Sequence, residues 1–253
     1  MVDASTSNAL TVVLVSKGME GLLAFCLEAL DRSLATAGSS PAWRKVVVDN
    51  ASDPPYLERN YDGQGVKLIR FDLPKSFAYA NNLAIKRCSN DFYLLMNNDV
   101  LLNRNAVAAM LRVLYLKPEV GICGTRLLFP DGTIQHCGVV FGQGKTGPYH
   151  WLRKRPVQLA PRDDQEFQAV TGACMLIRRE VWEELGGLDE AYPFGLEDID
   201  FCLRARKRGW RVICSNTTTS LHFEASTPGR VQLDIPSRRL FMKRWRGRYT
   251  VDG

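Results

Sequence analysis

The sequence predicts an α/β protein built on a mostly parallel central sheet with helices on its faces. One observation predicts this fold class, and a second predicts the number of domains. Short runs rich in β-branched residues alternate with longer amphipathic segments through the first half of the 253 residues, which is typical of parallel strands joined by right-handed crossovers. No internal repeat or linker divides the chain, so we expect a single domain over residues 1–253.

The first half follows a regular order. Each expected strand is a short apolar run bounded by polar or turn residues, and each expected helix carries apolar residues three and four positions apart. The expected strands are Ala9–Ser16, Trp43–Asn50, Val66–Phe71, Asp91–Asn98 and Val120–Phe129, and the expected helices are Leu22–Leu34, Phe77–Cys88 and Asn105–Leu116.

The second half is less regular. The expected elements are a turn and strand over Asp131–Gly144, a strand over Glu166–Glu180, helices over Val181–Leu185 and Glu197–Gly209, a strand over Trp210–Ser215 and a last helix from Pro236. Pro236 suits a first helical turn, where a missing N–H costs nothing. Lys145–Asp164 contains proline, glycine and charge without a clear period, which predicts a mobile loop.

Composition narrows the class of protein. Hydrophobic residues make up 45% and charged residues 24%, as in soluble globular proteins, and no run approaches the roughly 18 apolar residues of a membrane span. The first ten residues lack the basic and apolar regions of a signal peptide. Seven scattered cysteines without a C-x-x-C pair argue against disulfides and structural zinc. We therefore expect a cytoplasmic protein.

The net charge of +6 is concentrated in two segments, His150–Arg155 and Arg238–Tyr249. Basic residues interleaved with aromatics can bind nucleic acid or an anionic membrane surface, or form a solvated helix face. We expect no nucleic-acid partner. Leu240, Phe241 and Trp245 fall on one helical stripe, so a peripheral contact with the inner face of the membrane and packing onto the core both remain open.

Polar side chains follow two strands at the points where they end. Asp49 and Asn50 close the second expected strand, and Asn97, Asn98 and Asp99 close the fourth. A turn is one interpretation, because Asn and Asp hydrogen-bond their own backbone. The other is a metal and phosphate site, because open α/β sheets bind ligands at the carboxyl ends of their strands.

Two further features carry less information alone. Glu197, Asp198 and Asp200 begin an expected helix, and the helix dipole alone favours acidic residues there. His222 follows a strand, and a lone histidine is more often structural than a ligand. Asp200 and Arg204 are four residues apart, which suits a salt bridge, so Asp200 is interpreted as structural.

Five segments, taken together and in order, match the motifs of one family. They are VVVDNAS from Val46, KSFAYANNLAI from Lys75, LLMNNDV from Leu94, TGACMLIRREVWEELGGLDEAYPFGLEDIDFCLRARKRGW from Thr171 and LHFEAST from Leu221. The chain thus resembles, from about Leu10 to Trp245, the inverting GT-A glycosyltransferases of family 2, in their bacterial rhamnosyltransferase-like branch.

The resemblance implies a division of labour along the chain. Residues 9–130 would bind a nucleotide sugar, residues 131–234 would bind the acceptor and carry catalysis, and residues 235–253 would form a basic helix. The implied donor-binding residues are Ser16, Asp49, Asn50, Phe77, Asn81, Asn98 and Gly172. Asp49 would accept the N3–H of uracil or thymine, which favours a UDP- or dTDP-sugar, with dTDP-rhamnose suggested by the branch. For Phe77 and Asn81 an ordinary helix start is the alternative.

The resemblance also implies a metal site. Asp99 would bind Mn²⁺ or Mg²⁺ on the donor diphosphate, Asn97 replaces the first acid of the family's DxD motif, and His222 would complete the site. Hard cations take oxygen ligands that substrate phosphates complete, and imidazole suits Mn²⁺ better than Mg²⁺. Because Asn97 is neutral, we expect no tight metal binding without nucleotide.

Asp198 is the expected catalytic base, with Glu197 as its rival or as a ligand of acceptor hydroxyls. An inverting transfer needs one carboxylate to take the acceptor proton and a stabilised leaving group. The acceptor would be a glycan, a lipid-linked glycan or a protein. Two alternatives stay open: a sugar-phosphate nucleotidyltransferase, although SKGMEG after the first strand lacks the usual arginine, and an inactive nucleotide-sugar or glycan binder.

Overall fold

The computed structural model describes residues 9–37, 43–143, 147–224 and 230–253. Its strands are β1 Leu10–Ser16, β2 Arg44–Asn50, β3 Val66–Phe71, β4 Phe92–Asn97, β5 Val100–Leu101, β6 Val120–Leu128, β7 Ile134–His136, β8 Val139–Gly142, β9 Gly147–His150, β10 Gln165–Glu166, β11 Cys174–Arg178 and β12 Arg211–His222. Its helices are α1 Glu20–Ala37, α2 Phe77–Ile85, α3 Ala106–Leu116, α4 Arg179–Leu185, α5 Glu197–Lys207 and α6 Arg230–Trp245.

The described strands form a ten-stranded sheet and a separate hairpin. Strands β3, β2, β1 and β4 lie side by side and run parallel, as the alternation in the first half predicts. Strand β11 runs antiparallel between β4 and β6, and β12 lies parallel to β6. Strands β8 and β9 form the hairpin. The ends of β1, β2 and β4 therefore meet at one edge.

Each face of the sheet has its own apolar core, because successive strand residues point to opposite faces. In β1, Val12 and Leu14 face a core shared with α1 and α3, whereas Val13 faces a core shared with α2, α4 and α5. All three side chains are fully buried. The two cores hold the strand ends in a fixed arrangement.

The second half departs from the sequence prediction. Lys145–Asp164, expected as a mobile loop, contains β9 paired with β8 and the 3-10 turn Val157–Leu159; residues 145–146 lie outside the described ranges. Strand β12 continues beside β6 to His222 instead of ending at Ser215, while Glu166–Glu180 is divided between β10, β11 and α4. These short strands are set by pairing across the sheet, which periodicity does not report.

The last helix also differs from its prediction. It begins at Arg230, so Pro236 lies inside the helix and not in its first turn. Phe241 and Trp245 are 1% and 4% exposed, and Trp245 donates its indole N–H to Asp200 at 2.7 Å. The apolar stripe is packed inside the protein, so the proposed membrane contact lacks the apolar face that it required.

Within the described ranges, no helix is both long and apolar enough to cross a membrane. Even α1, with 18 residues, carries the exposed charges Glu28, Asp31 and Arg32.

Candidate active site

A cavity of about 570 Å³ opens where β1, β2 and β4 end. The predicted site residues that line it are Ser16, Asn50, Phe77, Asn97, Asn98, Asp99, Gly172, Glu197, Asp198 and His222. Asp49 and Asn81 are fully buried and do not line it. The fold thus brings together residues from seven separate segments of the chain.

Asp49 stabilises the loop that follows β2. Its carboxylate accepts the backbone N–H groups of Ser52 at 2.9 Å and Tyr56 at 3.0 Å, and pairs with Arg70. Burial acts to raise the pKa of the Asp49 carboxyl, but the hydrogen bonds from Ser52, Tyr56 and Arg70 outweigh it and lower that pKa. A contact between Asp49 and a uracil or thymine ring therefore requires this loop to move, and stays a prediction.

A hydrogen-bond chain of fixed direction joins this loop to the end of β4. The Tyr56 hydroxyl contacts the Gly18 carbonyl and lies 2.7 Å from Ser16 Oγ. Because a carbonyl only accepts, Tyr56 donates to Gly18, and Ser16 must then donate to Tyr56. Asn98 in turn donates its side-chain N–H to Ser16 at 2.8 Å. The Ser16 hydroxyl proton is therefore used in the hydrogen bond to Tyr56. Towards a ligand, Ser16 Oγ can act only as a hydrogen-bond acceptor.

Asn50 and Ser76 place the start of α2. The Asn50 side chain accepts from the Lys75 N–H at 2.8 Å and donates to the Lys75 carbonyl at 3.0 Å, and Ser76 caps the helix. Phe77 follows and lines the cavity. Asn81 donates to the Phe77 carbonyl at 2.8 Å. Asn81 therefore stabilises α2, and this structure does not bring it to the cavity as the predicted donor contact.

Asp99 and His222 form the candidate metal centre. Strand β5 pairs with β12 so that Val100 lies opposite His222, and His222 Nε2 lies 3.1 Å from Asp99 Oδ1. Two neighbouring ligands of an octahedral ion, each about 2.1 Å from it, lie about 3 Å apart, so this pair fits one edge of such a site. Asn97 lines the cavity beside them, and its backbone N–H donates to the Ala173 carbonyl at 2.9 Å.

The protein ligands at this centre are few. In the part of the chain that the structure describes, no three His, Cys, Asp or Glu side chains converge to hold a metal. Asp99 and His222 would need further oxygen ligands, and substrate phosphates usually supply these for Mg²⁺. The neutral Asn97 adds no charge to the site.

A sharp bend before α5 directs Glu197 and Asp198 into the cavity. Gly195 and Leu196 both adopt left-handed conformations, with φ of 73° and 70°, and such a conformation costs a non-glycine residue roughly 1 kcal/mol or more. Gly172 then donates its N–H to Asp198 Oδ2 at 2.7 Å. A Cβ at position 172 would lie 3.1 Å from the Asp198 Cβ, so glycine permits this close approach.

The two acids differ in the hydrogen bonds that offset their burial. Burial raises the pKa of the Asp198 carboxyl, and the N–H groups of Gly172 and Ile199 partly offset this. Burial, and then the charge of Asp198, raise the pKa of Glu197 to about 8. Glu197 Oε2 has no hydrogen-bond partner among the described residues. At neutral pH the raised pKa favours a protonated Glu197, and different environments can give two neighbouring carboxyls different roles.

Asp200 points into the protein. It accepts from Arg204 Nε at 2.7 Å and from the Trp245 indole at 2.7 Å, so the predicted salt bridge with Arg204 is confirmed. The sequence predicts that Glu197 and Asp200 share a helix face. The bend before α5 places both Glu197 and Asp198 at the cavity.

The family is decided by the match to known sequences. The family model described as "Glycosyltransferase like family 2" matches residues 26–234. This chain belongs to that family. The resemblance predicted from the motifs is therefore confirmed.

Two curated relatives of this family 2 protein show how much of each chain is shared. It is 36% identical over 211 residues to the O-antigen biosynthesis protein RfbC of Myxococcus xanthus, covering 79% of this chain and 16% of that protein. It is 28% identical over 154 residues to an N-acetylglucosaminyl-diphospho-decaprenol L-rhamnosyltransferase of Mycobacterium tuberculosis, covering 56% and 50%. The chain thus spans half or less of the length of these two relatives.

A solved structure confirms the fold of the family 2 protein. The mannosyltransferase PcManGT of Pyrobaculum calidifontis, determined with GDP-Man and Mn²⁺, superposes with a TM-score of 0.63 at 17% identity. The superposition covers 91% of this chain and 60% of that one. The predicted GT-A fold is confirmed.

One histidine that no sequence motif indicated, His150, lines the same cavity, and a second, His136, contacts it from inside the protein. His136 in β7 is fully buried, and its Nδ1 lies 2.8 Å from Nδ1 of His150 in β9. Burial, and then the charges of His150 and His222, hold the pKa of His136 well below 6.5, so His136 stays neutral. His150 and His222 thus line the cavity of the family 2 protein, and His136 lies behind His150.

Proposed function

We propose that this protein is an inverting glycosyltransferase that moves a sugar from a UDP- or dTDP-sugar to a hydroxyl of a glycan or lipid-linked acceptor. The observation that carries the proposal is that one cavity holds both the oriented carboxylate of Asp198 and the Asp99–His222 pair. The name of the M. tuberculosis relative, a rhamnosyltransferase, makes dTDP-rhamnose the first donor to test.

Asp198 is the proposed base. Its two oxygens accept from the N–H groups of Gly172 at 2.7 Å and Ile199 at 2.8 Å, and these bonds fix the plane of the carboxylate. It would take the proton of the acceptor hydroxyl while that oxygen attacks the anomeric carbon from the face opposite the leaving diphosphate. Glu197, protonated at neutral pH, suits a hydrogen-bond donor to a sugar hydroxyl, and it is the rival for the base.

Asp99 and His222 are the proposed ligands of Mn²⁺ or Mg²⁺, with Asn97 beside them. An oxygen and an imidazole together suit Mn²⁺, and their separation of 3.1 Å fits two neighbouring ligands. When bound, the metal supplies positive charge to the leaving diphosphate. The proposed donor-binding residues also line the cavity. Ser16 and Asn50 end β1 and β2, Asn98 follows β4, and Phe77 and Gly172 lie beside them.

A donor panel tests the proposal. The purified protein is incubated with UDP-, dTDP- and GDP-sugars, each with Mn²⁺, Mg²⁺ or EDTA, and nucleotide release is measured. We expect metal-dependent nucleotide release from a UDP- or dTDP-sugar by slow transfer of the sugar to water. When an acceptor glycan is added, the new glycosidic bond should have the inverted anomeric configuration by NMR. Asp72→Asn, which changes an exposed acid outside the cavity, is the control and should match the wild type. Nucleotide binding without release from any donor would instead support the inactive binding protein.

A further inference from the structure

Arg153 brings a guanidinium group to the cavity, near Asp99 and His222. It lines the cavity, and its Nη2 donates to both carboxylate oxygens of Glu224, at 2.8 and 3.1 Å. Glu224 lies two residues after His222, whose Nε2 lies 3.1 Å from Asp99. Arg153 is thus tied to the end of β12 that carries the candidate metal ligand.

The guanidinium is held in place but keeps donors available. It lies over the Phe129 ring, 4.7 Å from the ring centroid, and its side chain is 37% exposed. Arginine has N–H donors on three nitrogens, and among the described residues only Nη2 donates to a partner. Nε and Nη1 therefore remain able to bind an oxygen-rich ligand.

The backbone around Arg153 has an unusual conformation. Leu152 and Lys154 flank it with φ of 54° and 62°, a region that is unfavourable for side-chain-bearing residues and persists only where other contacts impose it. Here the Lys154 N–H donates to the Ile134 carbonyl at 2.8 Å. The turn directs Arg153 to the cavity, while Lys154 is 57% exposed outside the cavity lining.

Charge indicates what this guanidinium binds. The candidate metal centre offers one carboxylate and one imidazole, with neutral Asn97 beside them. The planar guanidinium fork matches two oxygens of a phosphate group. We propose that Arg153 is a phosphate-binding residue, and that its ligand is a phosphate or diphosphate group which takes over donors not used by Glu224.

The phosphate group that Arg153 binds belongs either to the donor diphosphate or to the acceptor. This identification of its source rests on the proposed function. Arg153→Met removes the guanidinium, Arg153→Lys keeps the charge without the fork, and Lys154→Met is the matched control. Lys154 stands over the same Phe129 ring but outside the cavity lining. Circular dichroism establishes that each variant is folded.

The first measurement is calorimetric binding of UDP, dTDP and inorganic diphosphate, with Mn²⁺, compared with uridine and thymidine. We expect Arg153→Met to weaken diphosphate-containing ligands by about tenfold or more, the usual effect of a hydrogen bond to a charged group. Arg153→Lys should be intermediate, and nucleoside binding and Lys154→Met should stay at wild-type values. This result assigns Arg153 to the donor diphosphate.

The second measurement is binding of inorganic phosphate to protein already saturated with UDP or dTDP and Mn²⁺. If Arg153→Met loses phosphate affinity in this measurement but keeps diphosphate affinity in the first, Arg153 binds an acceptor phosphate. Equal affinities of wild type and Arg153→Met in both measurements overturn the inference. If inorganic diphosphate binds through Arg153 but no nucleotide binds, the proposed function fails and the inference stands.

Glu224→Gln tests whether Arg153 binds a ligand or only forms a structural ion pair with Glu224. If Arg153 binds phosphate, neutralising Glu224 releases the guanidinium, and diphosphate affinity should be kept or increased. If the pair only supports the fold, Glu224→Gln should weaken diphosphate as much as Arg153→Met does, and that result would also overturn the inference.

Discussion

The two walls of the cavity differ in how their polar groups are satisfied. On the wall formed by β1, β2 and β4, most polar side chains are bonded within the protein: Ser16 is the middle of a directed hydrogen-bond chain, and Asp49, behind the lining, accepts two backbone N–H groups. Asn81 Oδ1, also behind this wall, is an exception among the described residues. On the wall from the second half of the chain, Gln135 Oε1, Glu197 Oε2 and His222 Nδ1 are buried without a hydrogen-bond partner among the described residues.

The difference indicates which wall is complete before a ligand arrives. A buried polar atom without a partner costs about 1–3 kcal/mol, so a fold keeps such atoms where a ligand or water completes them. The first wall holds its shape through its own hydrogen bonds, whereas the second leaves hydrogen-bonding groups for a ligand. We expect substitutions on the second wall and at the Asp99–His222 pair to alter the reaction, and substitutions in the hydrogen-bonded part of the first wall to alter affinity and stability.

The largest effect is expected for Asp99→Ala. Turnover should fall below detection, and the metal-dependent part of nucleotide binding should disappear, because the diphosphate loses its counter-charge. Donor turnover across a Mn²⁺ titration measures both, with Asp72→Asn as the control. Unchanged wild-type turnover in EDTA would show that no metal is involved.

Asp198→Asn should lower the rate by about 10²–10⁴, the usual contribution of a positioned base. Donor affinity should survive, because the amide keeps the shape of the side chain. Single-turnover rates and donor binding, measured beside Glu197→Gln, decide between the two acids. If Glu197→Gln shows the loss and Asp198→Asn does not, the base is Glu197.

Tyr56→Phe tests the wall whose groups are satisfied. It removes the hydroxyl that joins Ser16 to Gly18. Losing these hydrogen bonds should weaken donor binding by about 1 kcal/mol, which raises the donor KM about fivefold. The melting temperature should fall, and kcat should change little. Tyr115→Phe, at a side chain 44% exposed, is the matched control, and equal behaviour of the two variants would mean that the hydrogen-bond chain contributes nothing.

The smallest effect concerns pH. The pKa of Glu197 is raised from 4.5 to about 8 in the folded protein, so between these values the folded state holds a proton that the unfolded state has lost. The free energy of unfolding should therefore decrease as pH rises through this window. Glu197→Gln should reduce that decrease by about 1 kcal/mol or more, since one pKa unit corresponds to about 1.4 kcal/mol. Urea unfolding at pH 5 and pH 8 measures it, and identical pH dependence in both proteins would contradict the assignment.

The sequence located the residues whose position follows from local order. Asp99 directly follows a strand and Asp198 is at the start of a helix, and the resemblance to the family, not the local pattern alone, singled them out; both line the cavity. Arg153 was hidden because its partner Glu224 lies 71 residues away, and the basic run around it predicted only a surface. Burial of Asp49 was equally unpredictable, because it depends on how the following loop folds back over it.

The spacing between the two chemical ends of the cavity has a simple origin. The Ala173 carbonyl accepts the N–H of Asn97 at 2.9 Å, and the Gly172 N–H holds Asp198 at 2.7 Å. Two adjacent residues thus connect Asn97, beside the candidate metal centre, to Asp198, the proposed base, and the covalent geometry of this dipeptide sets the spacing between the two contacts. A donor or acceptor of unusual size would then be accommodated elsewhere in the lining, for example beside Pro148 and Tyr149 of the β8–β9 hairpin.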